Sequence, residues 1–249
     1  MLKHIPEDAK SFLLRILNKV WSLGVLPEDW SISLILPILK PQKPANLVSS
    51  YRPIALTSCI CKLMERMISN RLVWYLEANN KFSKYQFGFR KNRSTMDALF
   101  LLTKAVQKSL AKKQQTVAVF FDLQKAYDTL PKRVILEETS KLGFRGNILK
   151  FIDRFLTDRK IRVRVGTSLS SLHRQEEGVP QGSVLSVTLF SMAINSILEN
   201  LGPVCGTLYA DDLCIFYTGE DTHHIQQILQ VALNRIGDWT DSRGLCLNI

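Results

Sequence analysis

Tyr209-Ala210-Asp211-Asp212 lies between two apolar runs, Gly206-Thr207-Leu208 and Leu213-Cys214-Ile215-Phe216-Tyr217. Two apolar runs joined by a short polar segment are typical of a β-hairpin, here with two acids at its tip. Adjacent carboxylates about 4 Å apart repel by roughly 4 kcal/mol at an effective dielectric of about 20. A divalent cation offsets that repulsion, and hard oxygen ligands suit Mg²⁺. The alternative is a solvent-exposed Asp-Asp turn, because a Tyr-any-Asp-Asp string arises by chance in roughly 2% of chains of this length.

A third carboxylate follows a predicted strand earlier in the chain. Residues 116–121 are β-branched and aromatic, which predicts a buried strand, and Asp122 directly follows them. Asp122, Asp211 and Asp212 are therefore the candidate catalytic residues and metal ligands. Together they are enough for two Mg²⁺ ions about 4 Å apart, with Mn²⁺ as an alternative ion. We expect the three carboxylates to converge within about 5 Å of one another.

The net charge favours a polyanionic partner. The 249 residues include 33 Lys and Arg against 22 Asp and Glu, which gives a formal net charge of +11. Nucleic acid is the first candidate partner and an anionic membrane surface the second, while a basic protein with neither partner is the plain alternative. A hydrophobic content of 46% suits a folded protein of one domain or two subdomains.

Cysteine use and the distribution of apolar residues predict an intracellular protein. The five cysteines form no Cys-x-x-Cys pair, which favours reduced thiols and no zinc site. Charged residues interrupt the first ten positions, so no signal peptide is predicted. The most apolar stretch, residues 32–39, is too short to span a bilayer. We therefore expect a nuclear or cytoplasmic protein that is neither secreted nor bound to a membrane.

Hydrophobic periodicity predicts a mixture of helices and strands. Helices are predicted at residues 6–24, 59–78, 94–112, 131–142, 145–156, 184–200 and 222–242. Strands are predicted at residues 31–39, 116–121, 159–166 and 172–177, in the hairpin, and from residue 244 onward. The apolar face of the first helix is expected to be core: Phe12, Leu13, Ile16, Leu17 and Val20. The 59–78 helix is expected to turn its charged residues outward: Lys62, Glu65, Arg66 and Arg71.

Three basic segments are candidates for contact with nucleic acid. Gln86-Phe87-Gly88-Phe89-Arg90-Lys91-Asn92-Arg93 interleaves aromatic and basic residues, as in segments that grip a template, or it is a solvated turn over buried phenylalanines. Its glycine permits a turn or a close backbone approach. Residues 159–166 form a strand with one cationic face or an exposed edge strand protected by charge. Residues 40–44 form either a linker or a fingertip that reaches for phosphates. The basic residues expected to border the cleft that faces the acids are Arg90, Lys91, Arg93, Arg162 and Arg164.

The order of these motifs resembles the reverse transcriptases of non-LTR retrotransposons, which are LINE-type elements, and of jockey-like elements in particular. The matching blocks run in the family's order over about residues 34–249: Lys40-Pro41, Tyr51-Arg52-Pro53-Ile54-Ala55-Leu56, Gln86-Phe87-Gly88-Phe89-Arg90, Phe121-Asp122 with Ala126-Tyr127-Asp128, Gly178-Val179-Pro180-Gln181-Gly182-Ser183 and Tyr209-Ala210-Asp211-Asp212. Val187 stands where the family usually has proline, and Cys246 where it usually has lysine. The chain ends before the family's thumb, so the resemblance implies a fragment of a longer protein.

The resemblance implies an α+β fold that forms the fingers and palm of a right-hand polymerase. The palm is expected to contain an antiparallel sheet backed by helices, and the thumb is expected to be absent. The implied domains are an N-terminal helical extension at residues 1–36 and a reverse transcriptase domain at residues 37–249. Within that domain, residues 37–114 are expected to be mainly fingers and residues 115–249 mainly palm, truncated at its end.

The resemblance also implies roles for individual residues. The implied metal ligands are Asp122, Asp211, Asp212 and Leu123. The implied nucleotide-binding residues are Arg52, Tyr127, Gln181, Gly182 and Lys40, with Lys43 as a weaker candidate. The implied template and primer contacts are Gly88, Phe89, Arg90, Arg93 and Tyr209. In the family an aromatic residue at the position of Tyr127 stacks under the incoming sugar and excludes a 2′-hydroxyl, whereas the alternative makes Tyr127 a core residue.

The function that the resemblance implies is RNA-directed DNA polymerisation by two-metal transfer from a deoxynucleoside triphosphate to a primer 3′-hydroxyl. Its partners are an RNA template, a DNA primer and the triphosphate. An alternative is a catalytically incompetent retroelement fragment that at most binds nucleic acid. A maturase-type protein that binds intron RNA is a third interpretation, which the blocks at residues 51–58 and 86–95 fit less well.

Overall fold

The computed structural model describes residues 4–199 and 201–248. The helices are α1 (Glu7–Leu23), α2 (Glu28–Ser31), α3 (Cys59–Ala78), α4 (Thr95–Ala111), α5 (Ala126–Thr129), α6 (Lys132–Lys141), α7 (Asn147–Leu156), α8 (Val184–Ala193) and α9 (Thr222–Ser242). The strands are β1 (Ile32–Leu39), β2 (Tyr51–Leu56), β3 (Gln115–Leu123), β4 (Lys160–Val165), β5 (Ser168–Leu169), β6 (His173–Arg174), β7 (Cys205–Tyr209), β8 (Asp212–Gly219) and β9 (Leu247–Asn248). Most predicted elements are found close to their expected ends. The helix predicted at residues 184–200 is shorter, because α8 ends at Ala193 and a 3₁₀ turn at Asn195–Leu198 follows, while residues 200 and 249 lie outside the described part of the chain.

The sheet that contains the acids is antiparallel throughout its described strands. Its order is β7-β8-β3-β9, and β3 pairs with β8 from Gln115 opposite Gly219 to Asp122 opposite Asp212. Helices α4 and α9 pack against these strands. This confirms the predicted α+β class with an antiparallel sheet backed by helices.

A second sheet has the order β2-β1-β4-β5, with β6 also paired to β4. β1 is antiparallel to β2 and parallel to β4, so the segment around Arg162 lies inside the sheet. The alternative of an exposed edge strand at residues 159–166 is therefore wrong. Charge alternation cannot distinguish an edge from an interior strand, because β1 reaches β4 from more than 120 residues away in the sequence.

Helix α8 lies in the centre of the core, between α3 and α6. Leu185, Leu189, Phe190 and Met192 are each 0% exposed, as the apolar sequence of this helix requires. The position of α8 matters for the site, because the loop that begins at Gly178 leads directly into its first turn.

Two surfaces predicted to be core are partly exposed. Helix α1 packs against α7 through its C-terminal half, where the ring centroids of Trp21 and Phe151 are 6.1 Å apart. Phe12, in the N-terminal half of α1, is 58% exposed. The strand at residues 116–121 is half-buried rather than buried, and its Phe120 is 66% exposed.

The second sheet joins segments that are far apart in the sequence. The boundary expected between residues 36 and 37 falls inside β1, whose pairing with β4 ties the N-terminal part of the chain to residues 160–163. Among the described helices, none combines the length and the apolar character needed to cross a membrane.

Candidate active site

The β7–β8 hairpin presents two acids at one end of the antiparallel sheet. Tyr209 pairs with Asp212, so Ala210 and Asp211 form a two-residue turn, and Ala210 adopts a φ of 57°. A left-handed alanine is uncommon, and the paired strands on both sides hold it in place. Asp211 therefore lies at the tip and Asp212 at the first position of β8, as the sequence predicts.

Asp122 lies directly across the strand pair from Asp212. Directly opposed residues of an antiparallel pair project from the same face, with Cα atoms about 4.5–5.5 Å apart. The sequence therefore folds two acids that are 90 positions apart into one cross-strand pair, with the third acid in the adjoining turn.

The electrostatics of the site link the three acids. Burial raises the pKa of the Asp122 carboxyl, and the charges of Asp211 and Asp212 raise it further. Desolvation and then the charge of Asp211 raise the pKa of Asp212. The Oδ1 atom of Asp122 is buried and finds no hydrogen-bond partner among the described residues. A buried, unpartnered oxygen beside two like charges is costly unless a cation or donor meets it.

These acids fit a hard divalent cation in their chemistry, since they offer carboxylate oxygens. In residues 4–199 and 201–248, however, no three Asp, Glu, His or Cys side chains stand as a ready-made metal-binding group. The convergence of all three carboxylates within about 5 Å thus stays a prediction. Leu123 is 2% exposed and its side chain belongs to the core, so only its backbone carbonyl is a chemically suitable ligand.

The segment around Gly88 lies against the back of the hairpin. The Phe87 amide donates to the Leu208 carbonyl at 2.7 Å. A Cβ atom on Gly88 would stand 2.2 Å from the backbone nitrogen of Ala210. Gly88 is itself buried, so its closest partner in this fold is the hairpin turn, and the predicted close backbone approach is found.

Arg90 is committed to the protein itself. Its guanidinium forms an ion pair with Glu77 at 2.6 Å and donates to the carbonyls of Ser83 and Gln86. Arg93, by contrast, is exposed and lies over the Phe87 ring at 5.3 Å. The interleaved segment thus combines one cation that holds the turn with another that faces outward.

A groove of about 950 Å³ runs beside this turn, between α3 and the start of α8. Its walls include Trp74, Phe89 and Lys91. Trp74 is 71% exposed and Phe89, which has a φ of 58°, is 52% exposed. Trp74 is not among the site residues predicted from the sequence. The periodicity of α3 places this tryptophan on the outward face, and an exposed tryptophan is a signal of a binding surface.

The loop at residues 178–183 carries the predicted nucleotide-binding residues Gln181 and Gly182. The Gln181 carbonyl accepts from the Ala55 amide at 2.6 Å, and its side chain donates to Asp128 at 3.0 Å. Gly182 has a φ of 119°, and a Cβ there would stand 2.6 Å from the Ala55 carbonyl oxygen. This position requires glycine, because β2 passes too close for any side chain.

Tyr127 lies between the core and the acids. Its ring stacks on Phe190 with centroids 4.5 Å apart. Burial raises the pKa of its hydroxyl, and the charge of Asp211 adds to this effect. Both interpretations of Tyr127 stay open, because a ring packed on the core still places its hydroxyl within electrostatic range of an acid.

The remaining predicted residues lie on two sides of this centre. Tyr209 lines a cavity of about 540 Å³ together with Asp122 and Asp212. Arg52 is exposed on β2, and Lys40 donates to the Ser49 carbonyl at 3.1 Å. Burial raises the pKa of Asp128, and the hydrogen bond from Gln181 and the charges of Lys125 and Lys40 counteract part of that effect.

The two arginines of β4 belong to the second sheet, not to the sheet that contains the acids. Arg162 pairs with Leu34, and Arg164 donates to the Gly166 carbonyl at 3.1 Å. Their predicted position at the cleft stays a prediction.

One known protein family and several known proteins match most or nearly all of the chain. A model of the family described as reverse transcriptase (RNA-dependent DNA polymerase) matches residues 38–249. The chain is 32% identical over 245 residues to a "Probable RNA-directed DNA polymerase from transposon BS" of Drosophila melanogaster, which covers 96% of this chain and 27% of that protein. It is 29% identical over 254 residues to the "RNA-directed DNA polymerase from mobile element jockey" of the same species, covering 99% of this chain and 28% of that protein. The chain thus spans about a quarter of the length of these relatives.

Telomerase structures share this fold. Apo telomerase from Candida tropicalis superposes with a TM-score of 0.65 and 13% identity, over 97% of this chain and 48% of that one. Telomerase from Candida albicans in complex with a TWJ fragment of telomeric RNA gives a TM-score of 0.64 and 13% identity, over 94% of this chain and 44% of that one. At such identity the likeness concerns the fold alone.

Proposed function

The chain belongs to the reverse transcriptase family, as a domain of the non-LTR retrotransposon kind with a fingers-and-palm fold, and we propose that it extends a DNA primer on an RNA template. The observation that carries this proposal is the cross-strand pair of Asp122 and Asp212 beside the Asp211 turn. Three carboxylates in one electrostatic environment suit phosphoryl transfer, because they would hold divalent cations that stabilise the negative charge of the phosphoryl groups.

In this proposal Asp122, Asp211 and Asp212 would hold two Mg²⁺ ions, with Mn²⁺ as a substitute and the Leu123 carbonyl as an additional ligand. Such ions would supply Lewis acidity toward the primer 3′-hydroxyl and positive charge toward the leaving pyrophosphate. The unpartnered Oδ1 of Asp122 supports this assignment, because a metal ligand needs a free oxygen. The protein's own contribution is to fix the three acids on paired strands and a tight turn.

The proposed nucleotide pocket lies between the second sheet and the acids. Gln181 and Gly182 form its wall, held by the Ala55 backbone. Arg52 and Lys40 are the proposed triphosphate contacts, since both come from the basic β1–β2 region that borders this loop.

We propose that Tyr127 excludes ribonucleotides. Tyr127→Ala is expected to raise the relative use of ribonucleotides over deoxynucleotides by about 10–200-fold, the range for one added group in a fitted pocket. The measurement is kcat/KM for each nucleotide type, with thermal stability recorded beside it. A large stability loss with unchanged sugar selectivity would mean that Tyr127 serves only the core through its stack on Phe190.

The proposed template path follows the groove beside α3. Trp74 and Phe89 offer exposed rings on which bases can stack, and Arg66 and Lys91 offer positive charge. The groove reaches Gly182 at one end, and Gly88, next to Phe89, touches the hairpin turn. A strand in this groove therefore leads to the acids. Arg90 takes a supporting role in this proposal, because its ion pair with Glu77 holds the turn that presents Phe89.

Trp74→Ala is expected to weaken binding of single-stranded RNA by about tenfold, since one stacked base contributes about 1–3 kcal/mol. Binding should also weaken steeply with salt. The slope of the logarithm of the binding constant against the logarithm of the salt concentration should stay unchanged in Trp74→Ala and fall in magnitude by about 1 in Lys91→Ala. Affinity measured at several salt concentrations separates the two effects. Phe12→Ala is the matched control, because Phe12 is 58% exposed but lies on α1. Equal affinities for the Trp74 and Phe12 variants, or a flat salt dependence, would contradict this path.

The experiment that tests the function is primer extension by the full chain on an RNA template with Mg²⁺. The proposal predicts incorporation of the deoxynucleotide that complements the template base and no incorporation in EDTA. Binding of the primer–template without extension is the result expected of the alternative, a catalytically incompetent fragment that only binds nucleic acid.

A further inference from the structure

Glu65 occupies a position that its charge does not predict. It lies in the first half of α3 and is 0% exposed, although the helical pattern places it outward. A buried carboxylate is stable only where donors and positive charge surround it. Its surroundings therefore indicate why the fold accepts it.

One oxygen of Glu65 accepts from one side-chain hydroxyl and two backbone amides at the start of α8. Oε2 accepts from Ser183 Oγ at 2.6 Å, from the Val184 amide at 2.7 Å and from the Leu185 amide at 3.1 Å. The other oxygen accepts from the Cys61 thiol at 3.3 Å. Amides of a first helical turn bind anions well, because they are unpaired within the helix and lie at the positive end of its dipole.

A buried cation lies within electrostatic range of this carboxylate. Arg159 is 1% exposed, and burial lowers its pKa, while Cys61 and then Glu65 counteract part of that effect. Arg159 also donates to Ser33 Oγ at 2.9 Å, which links the start of β4 to β1. Glu65 thus connects α3 to the first turn of α8 through direct hydrogen bonds.

The residues that donate to Glu65 are the last residue of the 178–183 loop and the two residues that follow it. Two hydrogen bonds hold the N-terminal end of the loop. The Gly178 amide donates to the Leu130 carbonyl at 3.0 Å, and the Val179 amide donates to the Tyr127 carbonyl at 2.7 Å. In its middle, Ala55 donates to Gln181. Glu65 supplies the anchor at the C-terminal end, one residue beyond Gly182.

We infer that Glu65 is a positioning residue that fixes the 178–183 loop and, through it, the affinity for the incoming nucleotide. This inference rests on the proposed function, in which Gln181 and Gly182 line the nucleotide pocket. The effect of Glu65 falls on nucleotide binding, because its hydrogen bonds within the described part of the chain go to Cys61 and the start of α8 and not to the three acids.

The test is Glu65→Gln in the full chain. A neutral amide oxygen accepts the same three donors more weakly than a carboxylate does. KM for the deoxynucleotide is expected to rise about tenfold while kcat changes by less than about threefold, the pattern of lost binding rather than lost chemistry. Hydrogen exchange at the amides of Val184 and Leu185 should become at least about tenfold faster. Unchanged KM and unchanged exchange would overturn the inference.

Glu138→Gln is the matched control. Glu138 is 6% exposed and forms ion pairs with Lys141, at the end of α6, and with Arg243, which follows α9, so its ion-pair partners among the described residues lie outside the 178–183 loop. It should lose stability without a change in nucleotide KM. If both variants raise KM equally, Glu65 acts only through global stability and the inference fails.

Ser183→Ala provides an independent variant. If Glu65 acts through Ser183 and the first turn of α8, the double variant should raise KM less than the product of the two single effects. Multiplicative effects would overturn the inference. If the wild-type chain extends no primer at all, the proposed function fails, and the exchange rates at Val184 and Leu185 still decide whether Glu65 anchors the loop.

Discussion

Asp122→Asn is expected to reduce RNA-templated primer extension at least about 10³-fold, equivalent to roughly 4 kcal/mol of barrier. The variant removes one carboxylate from the cross-strand pair and leaves the backbone pairing of β3 with β8 intact. The same change should not lower the free energy of unfolding. The raised pKa of Asp122 means that its ionised form is disfavoured in the folded protein, so an uncharged side chain relieves repulsion from Asp211 and Asp212.

Asp153→Asn is the control for this prediction. Asp153 is an exposed acid on α7, so its substitution by asparagine removes the same charge away from the site. Primer extension and thermal unfolding should be measured on both variants. Near wild-type extension by Asp122→Asn would remove Asp122 from the proposed chemistry. A marked loss of stability would show that Asp122 is structural.

Gly88→Ala is expected to be the most damaging small substitution near the site. The added Cβ would stand 2.2 Å from the Ala210 nitrogen and 3.0 Å from the Tyr209 carbonyl carbon, so the hairpin or the 86–89 segment must move. Overpacking of this kind costs about 1–3 kcal/mol and sometimes more. For a chain of this size that corresponds to a fall in Tm of about 2–12 °C. Primer extension should fall by at least about 10²-fold, because the displaced turn carries Asp211 and Asp212.

Gly237→Ala is the control, since a Cβ there meets no atom within 4 Å and the residue lies within α9. Alanine in that helix should be neutral or stabilising by up to about 1 kcal/mol. Equal Tm values and equal activities for the two alanine variants would contradict the close approach of Gly88 to the hairpin.

The local parts of the fold and site follow from the sequence because local chemistry determines them. The apolar runs around Tyr209 and Asp212 specify a hairpin, and the strand that ends at Asp122 then pairs with it. Helix α3 begins and ends where its periodicity predicts, at Cys59 and Ala78. These features depend on neighbours within a few positions.

The errors arise where distant segments decide the environment. Glu65 was expected to face solvent because an isolated carboxylate is costly to bury, yet donors 118–120 positions later satisfy it. The ion pair of Arg90 with Glu77 is likewise absent from the sequence pattern, because the two residues meet across a turn of the chain, and the template contact of Arg90 stays a prediction. Phe12 lies on an amphipathic helix, but α7 packs against the C-terminal part of α1 and leaves Phe12 exposed. Side-chain periodicity gives a direction from the helix axis and cannot tell what lies in that direction.

The claim on which the whole account depends is that the three acids form one centre for divalent cations. The most direct test is titration of the full chain with Mn²⁺, with free Mn²⁺ followed by electron paramagnetic resonance. The account predicts saturable binding that weakens at least about tenfold in both Asp122→Asn and Asp212→Asn and stays unchanged in Asp153→Asn, since one charged ligand contributes more than about 1.4 kcal/mol. Equal Mn²⁺ binding by the wild-type chain and all three variants would contradict it.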